Sequence, residues 1–305
     1  MATYPNTTSA SDVWSLRDVY KAEAGDEWPL GPVAIVDYLI VAGGGGGGDT
    51  RGGGGGAGGL IYKTNQELSL SQTYNIVVGS GGSGATVNNA TPSDSNGQDS
   101  TAFGETAIGG GGGASRDSDT VNGSDGADGG SGGGGSATNT SPYPAGTGGA
   151  GTLDQGNDGG STVGGANNSP AGGGGGAGAV GNDATGSVAG NGGNGLEISI
   201  TGTATYYAGG GGGGATTGDS AGSGGLGGGG DGRTGSGNNG DAGTANTGGG
   251  GGGGSGGGAN GGNGGSGVVI VRTLAVASAT TGSPTVTQDG SFNIYTFTGS
   301  GSITF

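Results

Sequence analysis

The apolar residues of this chain fall into short runs, and the runs border stretches almost free of apolar side chains. The longest, VAIVDYLIVA at 33–42, is rich in Val, Ile and Tyr and predicts a buried or half-buried strand. Further strands are predicted over 60–64, 74–78, 196–201, 268–276, 292–298 and 302–305. Ahead of the first strand the period changes. Val13, Leu16, Val19 and Tyr20 repeat at helical spacing behind Ser11 as an N-cap, and Gly25 is placed to stop the helix. Trp28-Pro29 and Gly31-Pro32 then end the unit in a turn. One helix of about a dozen residues cannot bury both Trp14 and Trp28 by itself. Residues 1–32 are therefore expected to dock, either on the first strand or on a neighbouring protein, with Trp14, Leu16, Tyr20 and Trp28 as assembly residues.

Between the strands lies glycine. The chain has 305 residues and 94 glycines, of which 88 fall between Gly43 and Gly267. They come as tracts, at 43–48, 52–56, 109–113, 132–135, 172–176, 209–214, 227–230, 248–254 and 256–258. The intervening segments carry Asn, Asp, Ser, Thr and Pro and read as loops of variable length. No constant period links the tracts, which argues against a solenoid. Glycine in blocks with only eight prolines also excludes collagen, which needs strict G-X-Y spacing. Low hydrophobicity with a net charge of −16 would suit a disordered chain or linker, but a linker would not be punctuated by β-rich runs at the tract borders.

An ordered glycine tract has no side chain to offset its large entropy loss, so its stability must come from backbone donors and acceptors. Extended threefold glycine helices packed side by side could hydrogen-bond to one another on all sides, at about 3.1 Å rise per residue. The expected fold is thus mainly irregular/β: a bundle of polyglycine-II helices clamped by a small β-sheet, with a short N-terminal α-helix. Three regions follow: an anchoring segment over 1–32, a glycine-rich domain with flanking strands over 33–276, and a C-terminal β segment over 277–305.

Composition narrows the chemistry. With no Cys and no His, disulfides, zinc-thiolate sites and the commonest general base are all missing. Seven scattered cations against 23 acids argue against nucleic acid and anionic membranes, and no apolar run nears the roughly 20 residues of a membrane span. The first ten residues have no basic and apolar regions of a secretory signal. No catalytic residue, cofactor or metal is expected, and the chain is not read as an enzyme. GxGxxG matches carry no weight in a chain that is one-third glycine, and no helix pattern follows the tract at Gly43. Asp117, Asp119, Asp125 and Asp128 could supply oxygen ligands to calcium, yet no EF-hand or nonapeptide repeat frames them, and solvated loops are the preferred reading. Phe103, Tyr143, Tyr206 and Tyr207 stand among Ser, Thr, Asn and Gly, the vocabulary of recognition loops. The bland alternative is that they plug tract ends. Tyr143, between Pro142 and Pro144, would sit in a restricted loop.

VDYLIVAGGGGGG at 36–48, GGGGGAGGLIY at 52–62, YNIVVGSGGSG at 74–84 and GGNGGSGVVIV at 261–271 resemble the glycine-rich domains of bacteriophage tail-fibre proteins. VWSLRDVYKAEAGDEWP at 13–29 is similar to segments near the start of such fibre and other virion proteins. The resemblance implies a structural virion protein, a tail-fibre or adhesin component outside the cell. Its N-terminus would bind other tail proteins, and its loops would meet a host glycan or protein. It departs from that pattern in its last residues, YTFTGSGSITF at 295–305, a segment that in such domains precedes the LIVAGGG strand. Here Ile303 and Phe305 could return to their own first strand. They could also add to the next subunit, which would give a self-assembling filament or another homo-oligomer such as a trimer.

Overall fold

The computed structural model describes residues 32–86, 95–116, 123–137, 145–162 and 170–305. The helix expected within 1–32, with Trp14, Leu16, Tyr20 and Trp28, lies outside the described residues apart from Pro32. Strand β1 (Val33–Val41) alternates at its start and is buried on both faces at its end, which is why its apolar run becomes continuous. It pairs antiparallel with β2 (Leu60–Ser69), with a bulge between Val36 and Tyr38. Next come β3 (Thr73–Ile76), a hairpin of β4 (Ser100–Ala102) and β5 (Glu105–Ala107), and a second hairpin of β6 (Leu196–Ile198) and β7 (Thr205–Tyr207). The chain closes with β8 (Val268–Thr273), β9 (Ala279–Thr281), β10 (Thr285–Asp289), β11 (Phe292–Phe297) and β12 (Gly301–Thr304).

These strands make one five-stranded antiparallel sheet, ordered β10-β11-β8-β1-β2, one three-stranded sheet, β3-β12-β9, and the two hairpins. Even-numbered β1 residues, among them Val36, Tyr38 and Ile40, pack with Ile76, Phe297 and Ile303. Odd-numbered Leu39 and Val41 pack with Leu60, Ile270, Ile294, Ile200 and Tyr207 on the other face. Arg272 lies over the Phe292 ring at 3.5 Å and reaches Asp289 at 3.2 Å and Asp37 at 3.7 Å. The C-terminal strand lies between β3 and β9, so both its edges are occupied within the chain, and Ile303 and Phe305 are buried. Neither residue pairs with β1, whose neighbours are β2 and β8.

This architecture corrects the expected fold class. The protein is all-β, built on several small antiparallel sheets, with no helix among the described residues. The expectation of a helical bundle fails because the glycine tracts form no regular element of their own. Successive amides of 43–48 donate in turn to Gln98, Gly265, Gly56, Ser95, Gly262 and Gly53, at 2.8–3.0 Å. Three neighbouring segments are visited in rotation, each again at every third residue, so no two tracts pair as β-strands, and the tracts serve as cross-linked connections between the sheets. Close approach demands glycine here: a β-carbon on Gly47 would overlap the carbonyl of Gly252.

Where a tract lies on the rim, one residue in three is polar, and an Asx-Gly pair fastens it to its neighbour. Oδ1 of Asp125 accepts from the Thr147 amide at 2.7 Å while the Gly126 amide donates to the Thr147 carbonyl at 2.9 Å. Asp128-Gly129 holds Ala150 in the same way, at 2.6 and 3.1 Å. Between oppositely directed tracts the grip spans two residues. Asn96 accepts from Gly112 and Gly97 donates to Gly110. The side-chain oxygen thus replaces a backbone carbonyl where the glycine body ends.

Candidate functional site

The tracts run up and down between two ends. Sheets and hairpins occupy the proximal end. At the distal end the chain reverses at Asp49–Arg51, Thr185–Val188, Thr216–Ser220, Arg233–Asn238 and Ser255–Ala259. Hydrogen bonds tie these turns together: Thr50 donates to Ala259, Gly237 to Gly256, Ala215 to Arg233 and Ala137 to Arg51. The described flanks of 87–94, 117–122, 138–144 and 163–169 lie at this same end.

Two consecutive non-glycine residues, Thr50 and Arg51, have positive φ (39° and 60°), a conformation costing of order 1–3 kcal/mol each. The turn is held by Arg51 N–H bonds to the carbonyls of Gly254 (2.9 Å) and Ser255 (3.1 Å). Beneath it lies a charged plug. Asp49 and Arg51 are 2% and 4% exposed, and Ser115 is buried beside them, its hydroxyl accepting from the Asp49 amide at 3.1 Å. Burial pushes the Asp49 carboxyl up to about 6, against the opposing pull of Ser115 and Arg116. Burial and the neighbouring Arg116 charge lower Arg51 to about 10, with Asp219 working the other way. Desolvation also lowers Arg116, against the attraction of Asp49. Among the described residues, Asp49 Oδ1 and Arg116 Nε are buried without a hydrogen-bond partner. A polar cleft of about 520 Å³ opens beside the turns, lined among others by Arg233, Thr234, Asn238, Asn239 and Asp241. In it, the Arg233 fork grips Asp241 at 2.6–3.0 Å. Such an end can orient hydroxyl, amide and charged groups of a partner.

The singled-out aromatics lie elsewhere. Phe103, at the β4–β5 turn with φ 54°, packs its ring on Tyr38 (4.9 Å between centroids) and Tyr74 (5.6 Å) at the proximal end. Tyr207 is buried under β8, and burial raises its hydroxyl pKa. Tyr206, its neighbour on β7, points the other way and is 38% exposed. Tyr143 lies outside the described residues, as do Asp117 and Asp119. Asp125 and Asp128 spend Oδ1 on backbone amides. No group of three or more acidic residues that could hold a metal occurs among the described residues. Sequence reasoning passed over Asp49, Arg51, Arg116, Arg233 and Asp241. The signal for the first two is the charged interruption Asp49-Thr50-Arg51 between two pure glycine tracts.

Residues 27–274 match the glycine-rich domain as a family. The chain belongs to that family. Searches of curated proteins and of solved structures give no match. The glycine-rich domain therefore covers β1 through β8 and every tract between them, and stops short of the closing strands β9–β12.

Proposed function

We propose that this glycine-rich protein is a non-enzymatic structural virion protein of a bacteriophage, a tail-fibre or receptor-binding component. One observation carries the reading: the chain enters and displays at opposite poles. Pro32 leads into the far end of β1, which runs toward the glycine body, whereas the reversals from Asp49 to Ala259 gather at the other end. Pro32 itself lies on the side facing away from the distal turns, and other tail proteins would attach on that side. The distal turns rest on a body whose stability comes from backbone bonds, so their sequences can vary without disturbing the tracts. Short polar side chains and the Arg233–Asp241 pair suit contact with a host-surface glycan or protein.

The test is adsorption of the purified chain to a panel of bacterial cells. Replacing Arg233, Thr234 and Asp241 together by Ala, whose side chains are exposed at the distal end, should abolish adsorption and leave thermal unfolding nearly unchanged. Adsorption that survives the replacement, or no adsorption of the intact chain to any cell, would overturn the reading. Long filaments of the purified chain under negative stain would replace it with a self-assembling subunit.

A further inference from the structure

Asn followed by Gly is the dipeptide in which asparagine degrades most readily, because the small glycine lets its own amide nitrogen reach the side chain. That nitrogen attacks Asn Cγ; the new N–Cγ bond forms as Cγ–Nδ2 breaks, and Nδ2 leaves as ammonia with the amide proton. Water then opens either C–N bond of the cyclic imide, giving Asp or, by the other cleavage, isoaspartate with one more atom in the backbone. The attack needs a glycine amide free of its acceptor and a side chain rotated to present Cγ.

Six Asn-Gly pairs occur among the described residues, beginning at Asn96, Asn191, Asn194, Asn239, Asn260 and Asn263. Exposure does not shield them, for Asn191, Asn194, Asn239 and Asn263 are exposed to solvent. Every one of their glycine amides is engaged: Gly97 to Gly110, Gly192 to Ser223, Gly195 to Leu226, Gly240 to Asn260, Gly261 to Ala85 and Gly264 to Gly82, all at 2.7–3.0 Å. Side chains are fixed as well. Oδ1 of Asn96, Asn191, Asn194, Asn239 and Asn263 accepts a backbone amide of the adjoining tract at 2.8–3.0 Å. The same two bonds that fasten the rim therefore remove both requirements of the reaction.

We infer that the closed glycine body arrests imide formation at these six sites, and that each becomes a spontaneous modification site once its tract parts from its neighbour. The consequence differs by product. Asp at these positions keeps an acceptor oxygen, as Asp125 and Asp128 do. Isoaspartate lengthens the backbone between points that must meet their neighbours at three-residue intervals, so the tract cannot close again.

The experiment needs no variant. The full chain is incubated at mildly alkaline pH, folded in one sample and in concentrated urea in the other, and peptides are mapped by mass spectrometry with isoaspartate detection. Each of the six sites should react at least ~100-fold more slowly in the folded sample, the factor set by the free energy of local opening. Rates within about threefold of the urea sample, in protein still folded by circular dichroism, would overturn the inference. Ser223→Pro removes the amide that Asn191 accepts and adds a local check. Asn191 should accelerate while Asn263 stays slow, and unchanged Asn191 kinetics in the folded variant would also count against it.

Discussion

Removing a single carboxylate from the rim tests whether the Asx-Gly grip holds the glycine body together. Asp125 accepts two hydrogen bonds from Thr147, from its amide at 2.7 Å and its hydroxyl at 2.8 Å. Asp125→Ala leaves the Gly126 bond to the Thr147 carbonyl in place but strands the amide and the hydroxyl. A hydrogen bond to a charged group contributes about 1.5–3 kcal/mol when well enclosed. The Asp125 bonds are exposed to water, so about 1–2 kcal/mol is expected for the pair. Asp128→Ala strands one amide, that of Ala150, and should cost about half as much. Asp125→Asn retains an acceptor oxygen and should cost a few tenths of a kcal/mol. Urea unfolding monitored by the tyrosines of the proximal sheets gives the three values on one scale. Equal losses for Asp125→Ala and Asp125→Asn would show that charge, and not the acceptor, matters at the rim. Losses below about 0.3 kcal/mol for both alanines would show that the grip contributes nothing.

Four further outcomes are expected. Gly250→Ala places a β-carbon into the Gly55 carbonyl with backbone on every side, and should cost 1–3 kcal/mol or more. Gly104→Ala meets only a positive φ of 82° in open space and should cost about 1 kcal/mol, so equal melting temperatures would refute the packing argument. Asp49, raised from 3.8 to about 6, favours the native state most when protonated. Its contribution is complete below about pH 4 and lost as pH rises through about 6, so melting curves of wild type and Asp49→Asn should diverge across that window; parallel curves would refute the assignment. Ile303→Ala should destabilise by about 2–5 kcal/mol with no change in particle mass by light scattering, whereas a change in mass would place Ile303 at a subunit contact. Phe103→Ala should cost about 2 kcal/mol and leave cell adsorption intact, since its ring serves Tyr38 and Tyr74.

The strands were legible where apolar residues cluster. The runs at 33–42, 60–64 and 268–276 became β1, β2 and β8, because burial on both faces selects Val, Ile and Leu regardless of partner. The run at 196–201 likewise held β6, but β4, β5 and β7 were not legible, since STA, ETA and TYY carry too little pattern for a period. Their pairing is imposed by the tracts that deliver them. Phe103 and Tyr207 sit away from the distal turns for a related reason. A glycine body has no room for side chains, so Phe103 and Tyr207 collect where the sheets make a conventional core. The distal charges were hidden by their brevity, and the spacing of Asn191-Gly192 and Asn194-Gly195 holds the information that composition alone conceals: an Asx every third residue marks a rim.

The antiparallel pairing of β1 with β8 bears on how the chain reaches its native state. Val41 meets Val268, roughly 230 residues further on, and joining two such distant points costs about 5 kcal/mol of loop entropy if nothing intervenes. During synthesis β1 soon has β2 for company, but its other edge stays open until β8 has left the ribosome. For that interval a strand ending in Leu39-Ile40-Val41 presents unpaired amides and carbonyls. The glycine tracts, which offer no apolar surface to aggregate, are what separates that strand from its partner in time.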